Sequence, residues 1–294
     1  MSLILSVFEQ GMIYAIMALG VYITYKILDF PDMTVDGSFP MGAAITAVLI
    51  NKGVNPLLTL PICFVAGGVV GIITGLIHVK LKVRDLLAGI IMMTGLYSVN
   101  LRIAGKANLP FYNQPTIFEN DFLSALFPSW LANYRTVIIC LIITIIVKYL
   151  LDWYMSTKSG FLLRAVGDND TLVTSLGVDK GLVRIVGLSL ANALVTLSGC
   201  LYAQQQGFFD STMGTGTAVM GLAGVIIGAS LFKKFTLFKV TASVVIGMLL
   251  YKGCVALAIW VGMPASDMKL ITAVLFLIIL VLTSDRKKKV TVHA

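Results

Sequence analysis

Apolar residues run through this chain in nine blocks, 3–25, 35–50, 57–79, 86–104, 136–151, 185–203, 214–232, 240–260 and 270–283, divided by shorter polar stretches. A helix rises about 1.5 Å per residue, so blocks of roughly 15 to 24 residues match a hydrocarbon layer about 30 Å thick. With 58% hydrophobic and 12% charged residues, against about 25% charged in soluble domains, no water-soluble core could enclose so much apolar surface. The pattern predicts an all-α integral membrane protein, polytopic, with about nine transmembrane helices, one of them broken, in a single domain over 1–294.

The Lys and Arg residues set the expected orientation. With the C-terminus in the cytoplasm, sixteen of the 22 cations lie at or near that side. Five (Lys52, Arg102, Lys106, Arg135 and Lys269) lie toward the outside, and Lys252 falls within a span. The N-terminus is then outside. The first block lacks a basic leader and an A-x-A cleavage site and holds Glu9 and Gln10, which reads as a retained helix. The net charge of +8 sits between apolar blocks, a topology signal and not a nucleic-acid surface. The four cysteines lie inside apolar blocks without CxxC spacing, as buried small hydrophobes do. His78 and His293 are too far apart in kind to make a metal cluster or a Ser/His/Asp triad, and no GxxxxGK[ST] phosphate loop occurs.

Two connections are long. The external one, 105–135, holds Pro110, Pro115 and Pro128 and is expected to form an irregular cap. The internal one, 152–184, is rich in charge and reads SGFLLRAVGDNDTLVTSLGVDKGLVR over most of its length. Asp168, Asn169 and Asp170 offer capping oxygens to a short helix over 171–176, and Gly177 suits the left-handed position that ends one. Leu172, Val173 and Leu176 give that helix an apolar stripe. On physical grounds it either docks into a partner's groove or lies at the membrane interface.

After the first block comes ILDFPDMTVDGSFPMGAA, in which Pro31, Gly37 and Pro40 interrupt helix and Asp29, Asp32, Thr34, Asp36 and Ser38 add polar groups. Irregular backbone at membrane depth needs burial in protein or a watery cavity, and intramembrane acids mark pathways. The alternative is an ordinary hairpin with Asp36 or Ser38 as a helix cap. Asn100 and Arg102 sit near the end of a span, where Arg102 either snorkels to the interface or meets a carboxylate. Lys252 lies mid-span, where a cation is costly without a partner, and Asp32 and Asp36 are candidate partners. Gly67, Gly71 and Gly75, and Gly224 with Gly228, form small-residue stripes for close helix approach, within one subunit or across a dimer.

The segment RAVGDNDTLVTSLGV resembles the R-A-x-G-x-N-x-x-A-x-x-x-G-[IV] segment of the branched-chain amino acid and ribose type permeases of ATP-binding-cassette importers, with Thr174 in place of the usual Ala. DFPDMTVDGSFPMGAA is similar to the broken-helix element of the ribose-type permeases. Together with GIIMMTGLYSVNLRIAGKANLP it is most similar to a branch associated with aromatic amino acids, tryptophan especially. The similarity runs from Met12 to about Leu282.

The resemblance implies a permease subunit, not an enzyme, of a binding-protein-dependent importer in a bacterial inner membrane. It implies that Arg164, Asp168, Asn169, Asp170, Leu172, Val173, Leu176 and Gly177 couple to an ATPase. It also implies that Asp32, Thr34, Asp36 and Ser38 lie beside the substrate path, with Asn100, Arg102 and Lys252 as further candidates. No cofactor is expected on this chain, since ATP and Mg belong to the partner ATPase. The expected partners are cytoplasmic ATPase subunits, an external solute-binding protein, the lipid bilayer and a second permease subunit, as a homodimer. Branched-chain amino acids, sugars or nucleosides are the alternative cargo within the superfamily. An ion-coupled transporter or channel working alone is the alternative class.

Overall fold

The computed structural model describes residues 2–120, 134–175, 177–231, 239–262, 267, 270–274, 276–278 and 281, with only the backbone given at 2, 3, 170 and 172. Its helices are α1 (Ser2–Tyr22), continued by a π-helical turn (Ile23–Ile27), α2 (Val35–Asn51), α3 (Pro56–Val79), α4 (Asp85–Ala104), α5 (Arg135–Met155), α6 (Lys158–Asp168), α7 (Asp170–Ser175), α8 (Lys180–Gln206), α9 (Thr217–Leu231) and α10 (Val240–Trp260). Residues 270–274, 276–278 and 281 are also helical. Among the described residues six helices are long and apolar enough to cross a bilayer, and α2 and α9 are shorter apolar helices.

The 105–135 connection, expected to form an irregular cap, contains one short regular element. Strand β1 (Asn108–Pro110) pairs antiparallel with β2 (Phe208–Asp210), which directly follows α8. Among the described residues the regular structure is helical apart from this ribbon. Gly207, at φ 76°, ends α8 and turns the chain into β2, a conformation that costs glycine nothing extra. Residues 121–133 of the same connection lie outside the described residues.

Helix α8 is the axis of the bundle. Its membrane window is 78% buried, against 22% for α4 and 28% for α5. Small residues let its neighbours reach it: a Cβ on Gly67 would strike the Asn192 carbonyl, one on Gly71 the Leu188 carbonyl and one on Gly75 the Ile185 side chain. The stripe on α3 therefore packs within the chain. Gly224 and Gly228 of α9 do the same against Met248 and Ser243 of α10. The opposite side of α3 exposes Leu58, Val65, Val69 and Ile72, a face suited to lipid. Cys63, Cys140 and Cys200 are buried as expected, whereas Cys254 is exposed on α10, where lipid tails solvate a small apolar group as well as a protein interior does.

Gly71→Ala is expected to lower the melting temperature of the purified protein, because a methyl group has no room against the Leu188 backbone and overpacking costs about 1–3 kcal/mol. Val69→Leu on the exposed face should leave it unchanged. Equal melting of both variants would refute the packing role of the stripe.

Candidate translocation and coupling site

The break after α1 is built from three successive departures from α-helix. The π-turn closes with Leu28 N donating to Ile23 O at 3.0 Å and Phe30 N to Thr24 O at 2.9 Å. Asp29 follows with φ 51°, a conformation open to Asp at modest cost. Asp32 then precedes α2, its Oδ1 accepting at 2.8 Å from the N–H of Thr34, the residue just before that helix.

The other oxygen of Asp32 faces α8. Asn192 Nδ2 donates to Asp32 Oδ2 at 2.9 Å, and Ser38 Oγ donates to Asn192 Oδ1 at 2.6 Å. All three side chains are buried, so the broken helix is clamped to the central helix by a closed polar chain. Thr34 Oγ1 lies 3.3 Å from Thr74 Oγ1 of α3, and Asn100 Nδ2 donates to Gly37 O at 3.0 Å from α4. Three helices, α3, α4 and α8, thus converge on residues 32–38.

Asp36 points elsewhere. It accepts from Gly216 N at 3.0 Å, Thr217 Oγ1 at 3.0 Å and Ala218 N at 2.7 Å, so it caps α9 across the interior. Orphan N–H groups at a helix start favour an anion there. The cap reading holds for Asp36, with the correction that the capped helix is α9 and not α2.

Lys252 does not meet either acid. Its Nζ lies 3.4 Å from Gln10 Oε1 and 3.9 Å from the Tyr14 ring centre, and its side chain is buried. Tyr14 stacks on Phe39 at 5.5 Å and 8°, and Tyr202 closes the group at 5.3 Å from Tyr14. A cation over an aromatic face keeps part of the stabilisation lost with its hydration. Arg102 is exposed in the last turn of α4, which fits snorkelling and not a place in this cluster.

The segment expected to couple to an ATPase carries two helices, α6 and α7, where one short helix was expected. Asp168 ends α6, and Asn169 Oδ1 caps α7 by accepting from Thr171 N at 3.1 Å. Gly177 adopts φ 75°, as the helix stop requires. Val173 is fully buried within the chain, which corrects its expected place in an exposed docking stripe: α7 spends that position on its own anchorage. The Leu172 and Asp170 side chains and all of Leu176 lie outside the described residues. Arg164 is exposed, donates to Met155 O at 3.2 Å and sits 5.8 Å from the Phe161 ring.

One approach joins the two regions. A Cβ on Gly167 of α6 would collide with the carbonyl of Ile27, the last residue of the π-turn, and Leu28 packs with Leu163 around Gly187 of α8. The segment expected to couple to an ATPase rests directly on the break.

At the other end of the bundle, Gln206 Nε2 donates to Gln205 Oε1 at 2.7 Å and Gln205 Nε2 to Glu9 Oε2 at 3.1 Å. These groups line a pocket of about 210 Å³ with Tyr112 and Phe118. Asp210 closes the ribbon outside the spans. Burial works to raise its carboxyl, but hydrogen bonds from Thr212 and Asn108 outweigh that and hold it below the usual range.

Residues 3–283 match the family described as "Branched-chain amino acid transport system / permease component". The chain belongs to this permease family. It is 44% identical over 277 residues, 94% of this chain and 90% of the other, to a tyrosine transport system permease protein of Clostridioides difficile strain R20291. It is 23% identical over 233 residues, 76% of this chain and 68% of the other, to a ribose import permease protein of Escherichia coli strain K12. No solved structure matches significantly.

For this permease, sequence reasoning placed Asp32, Thr34, Ser38 and Asn100 in what proves to be one buried cluster, and separated neither Asp36 nor Lys252 from it. It missed Asn192, Gln10 and Tyr14. Asn192 carried a usable signal, an amide in the middle of an apolar block. Gln10 carried the same signal, an amide within the first apolar block, and Tyr14 carried none; only packing brings α1 to Lys252.

Proposed function

We propose that this chain is the membrane-spanning permease of an ATP-driven, binding-protein-dependent importer of amino acids, with the aromatic ones, tryptophan and tyrosine, favoured. The seating of Gly167 on the Ile27 carbonyl carries this reading: a push on α6 and α7 from below reaches the break, and through Asp32, Asn192 and Ser38 the central helix. A permease needs such a path and a lone channel does not. The apolar blocks and their cations support about nine crossings with the N-terminus outside, in a bacterial inner membrane. ATPase subunits carrying ATP and Mg dock at α6 and α7, a solute-binding protein delivers at the Glu9 pocket, and a second copy completes the pathway.

Lys252 with Tyr14, Phe39 and Tyr202 supports the cargo: a cation suits a carboxylate, and ring faces suit an aromatic side chain. The identity to a tyrosine permease agrees in class. In liposomes, the isolated chain is expected to hydrolyse no ATP. With its ATPase and binding protein it should take up labelled tryptophan or tyrosine in an ATP-dependent manner, with ribose failing to compete. Hydrolysis by the pure chain, or ribose uptake in place of amino acids, would overturn the proposal.

A further inference from the structure

The turn between α3 and α4 faces the start of α8 across a pocket of about 460 Å³. Lys82, Arg84, Lys180 and Arg184 line it, against Asp85 and Asp179. Four cations thus face two acids across the space. Asp179 Oδ1 accepts from Gly181 N at 2.8 Å as the cap of α8, and Asp85 is partly exposed, 3.7 Å from His78 Nδ1. His78 is fixed by Val83 O, 2.9 Å from Nδ1, which leaves Nε2 to accept from Arg184 Nη1 at 3.2 Å. The guanidinium is thereby held in place at the pocket wall.

What reaches this pocket from the membrane side is apolar and exposed. Val79 lines it, and Val65, Val69, Ile72 and Leu76 continue from Val79 along one face of α3, all exposed. On α4, Leu87 and Ile91 continue the face of Arg84, again exposed. These spacings of three and four residues make continuous stripes. A cationic pocket at the ends of two such stripes has the shape of a phospholipid: phosphate among the cations, acyl chains along the helices. Bulk lipid covers such stripes on any spanning helix, but only a lipid with an anionic headgroup occupies stripes and cations together, whereas a free phosphate would use the pocket alone.

We propose that this pocket is a binding site for an anionic phospholipid, with the phosphate held by Lys82, Arg84, Lys180 and Arg184. The site borders the broken segment, since His78 meets Phe30 edge-on at 5.2 Å, but it holds none of the Asp32 or Lys252 cluster residues and does not depend on what is transported. Lipid bound there would brace the α3–α4 turn against α8.

The test uses the full chain in phosphatidylcholine vesicles with and without phosphatidylglycerol. Wild type should retain phosphatidylglycerol through purification, read by native mass spectrometry, and should melt higher in the mixed vesicles. Lys82→Gln with Arg84→Gln and Lys180→Gln should weaken retention on the order of a hundredfold and abolish the difference in melting, with melting in pure phosphatidylcholine unchanged. Should the triple variant misfold, Lys82→Gln alone, at an exposed turn residue, gives a smaller loss of the same kind. Undiminished retention in a folded variant overturns the proposal. So does inorganic phosphate in phosphatidylcholine vesicles reproducing the melting rise, which would make this a free-phosphate site. Loss of ATPase binding with lipid retention intact overturns it as well, in favour of a protein-docking patch.

Discussion

Asn192→Leu is expected to lower ATP-dependent uptake by at least about tenfold and to reduce thermal stability as well. Leucine has the same branched skeleton as asparagine, so the change removes hydrogen bonds without opening a void. It strands two buried groups at once, Asp32 Oδ2, which accepts from Asn192 at 2.9 Å, and Ser38 Oγ, which donates to it at 2.6 Å. Leaving a buried polar group unsatisfied costs about 1–3 kcal/mol, and more for a charged one. Hydrogen bonds between membrane helices are on average worth about 0.6 kcal/mol, so Ser38→Ala, which removes only one of them, should be mild. The contrast is the diagnostic. Uptake assays in proteoliposomes, paired with thermal melting, check it. Wild-type uptake by Asn192→Leu would show that the clamp between the break and α8 has no part in transport.

Gly167→Ala is expected to separate ATP hydrolysis from uptake. An added Cβ would occupy the space of the Ile27 carbonyl. Backbone cannot rotate away as a side chain can, so α6 must lift off the π-turn. The ATPase should still bind and hydrolyse, because α7 and its Asn169 cap are untouched, but the stroke should no longer reach the break. Uptake per ATP hydrolysed is expected to fall about tenfold or more. Gly95→Ala on α4 is the control, since nothing lies within 4 Å of its added Cβ, and it should couple normally. Normal coupling by Gly167→Ala would remove α6 as the transmitting element and return the coupling role to contacts made elsewhere.

The spans were legible because membrane length is written in hydropathy. Expectations of 57–79, 86–104 and 240–260 meet Pro56–Val79, Asp85–Ala104 and Val240–Trp260. The start of α2 at Val35 was legible from Pro31 and the polar run before it. Helix α8 was underestimated: the block 185–203 grows to Lys180–Gln206. Gln204, which looks like a helix-ending polar residue, instead accepts from Ile117 N at 2.9 Å and donates to Thr59 Oγ1 at 2.9 Å, so its partners sit in distant segments.

By itself the sequence determined that the chain is a membrane protein, where the bodies of its long helices lie, which segment resembles the family's coupling segment and where the first helix breaks. Each of these depends on residues close together in the chain, through hydrophobic length, capping oxygens and backbone freedom. Only the tertiary structure decided which polar groups answer which. Asp36 caps α9 from 180 residues away, Asp32 meets Asn192 across 160, and Lys252 turns to Gln10 and Tyr14. In a hydrocarbon solvent every buried polar group must find a partner inside the protein, and the choice among several acids and amides is made by helix packing, which glycines such as Gly71 and Gly167 permit and local sequence does not encode.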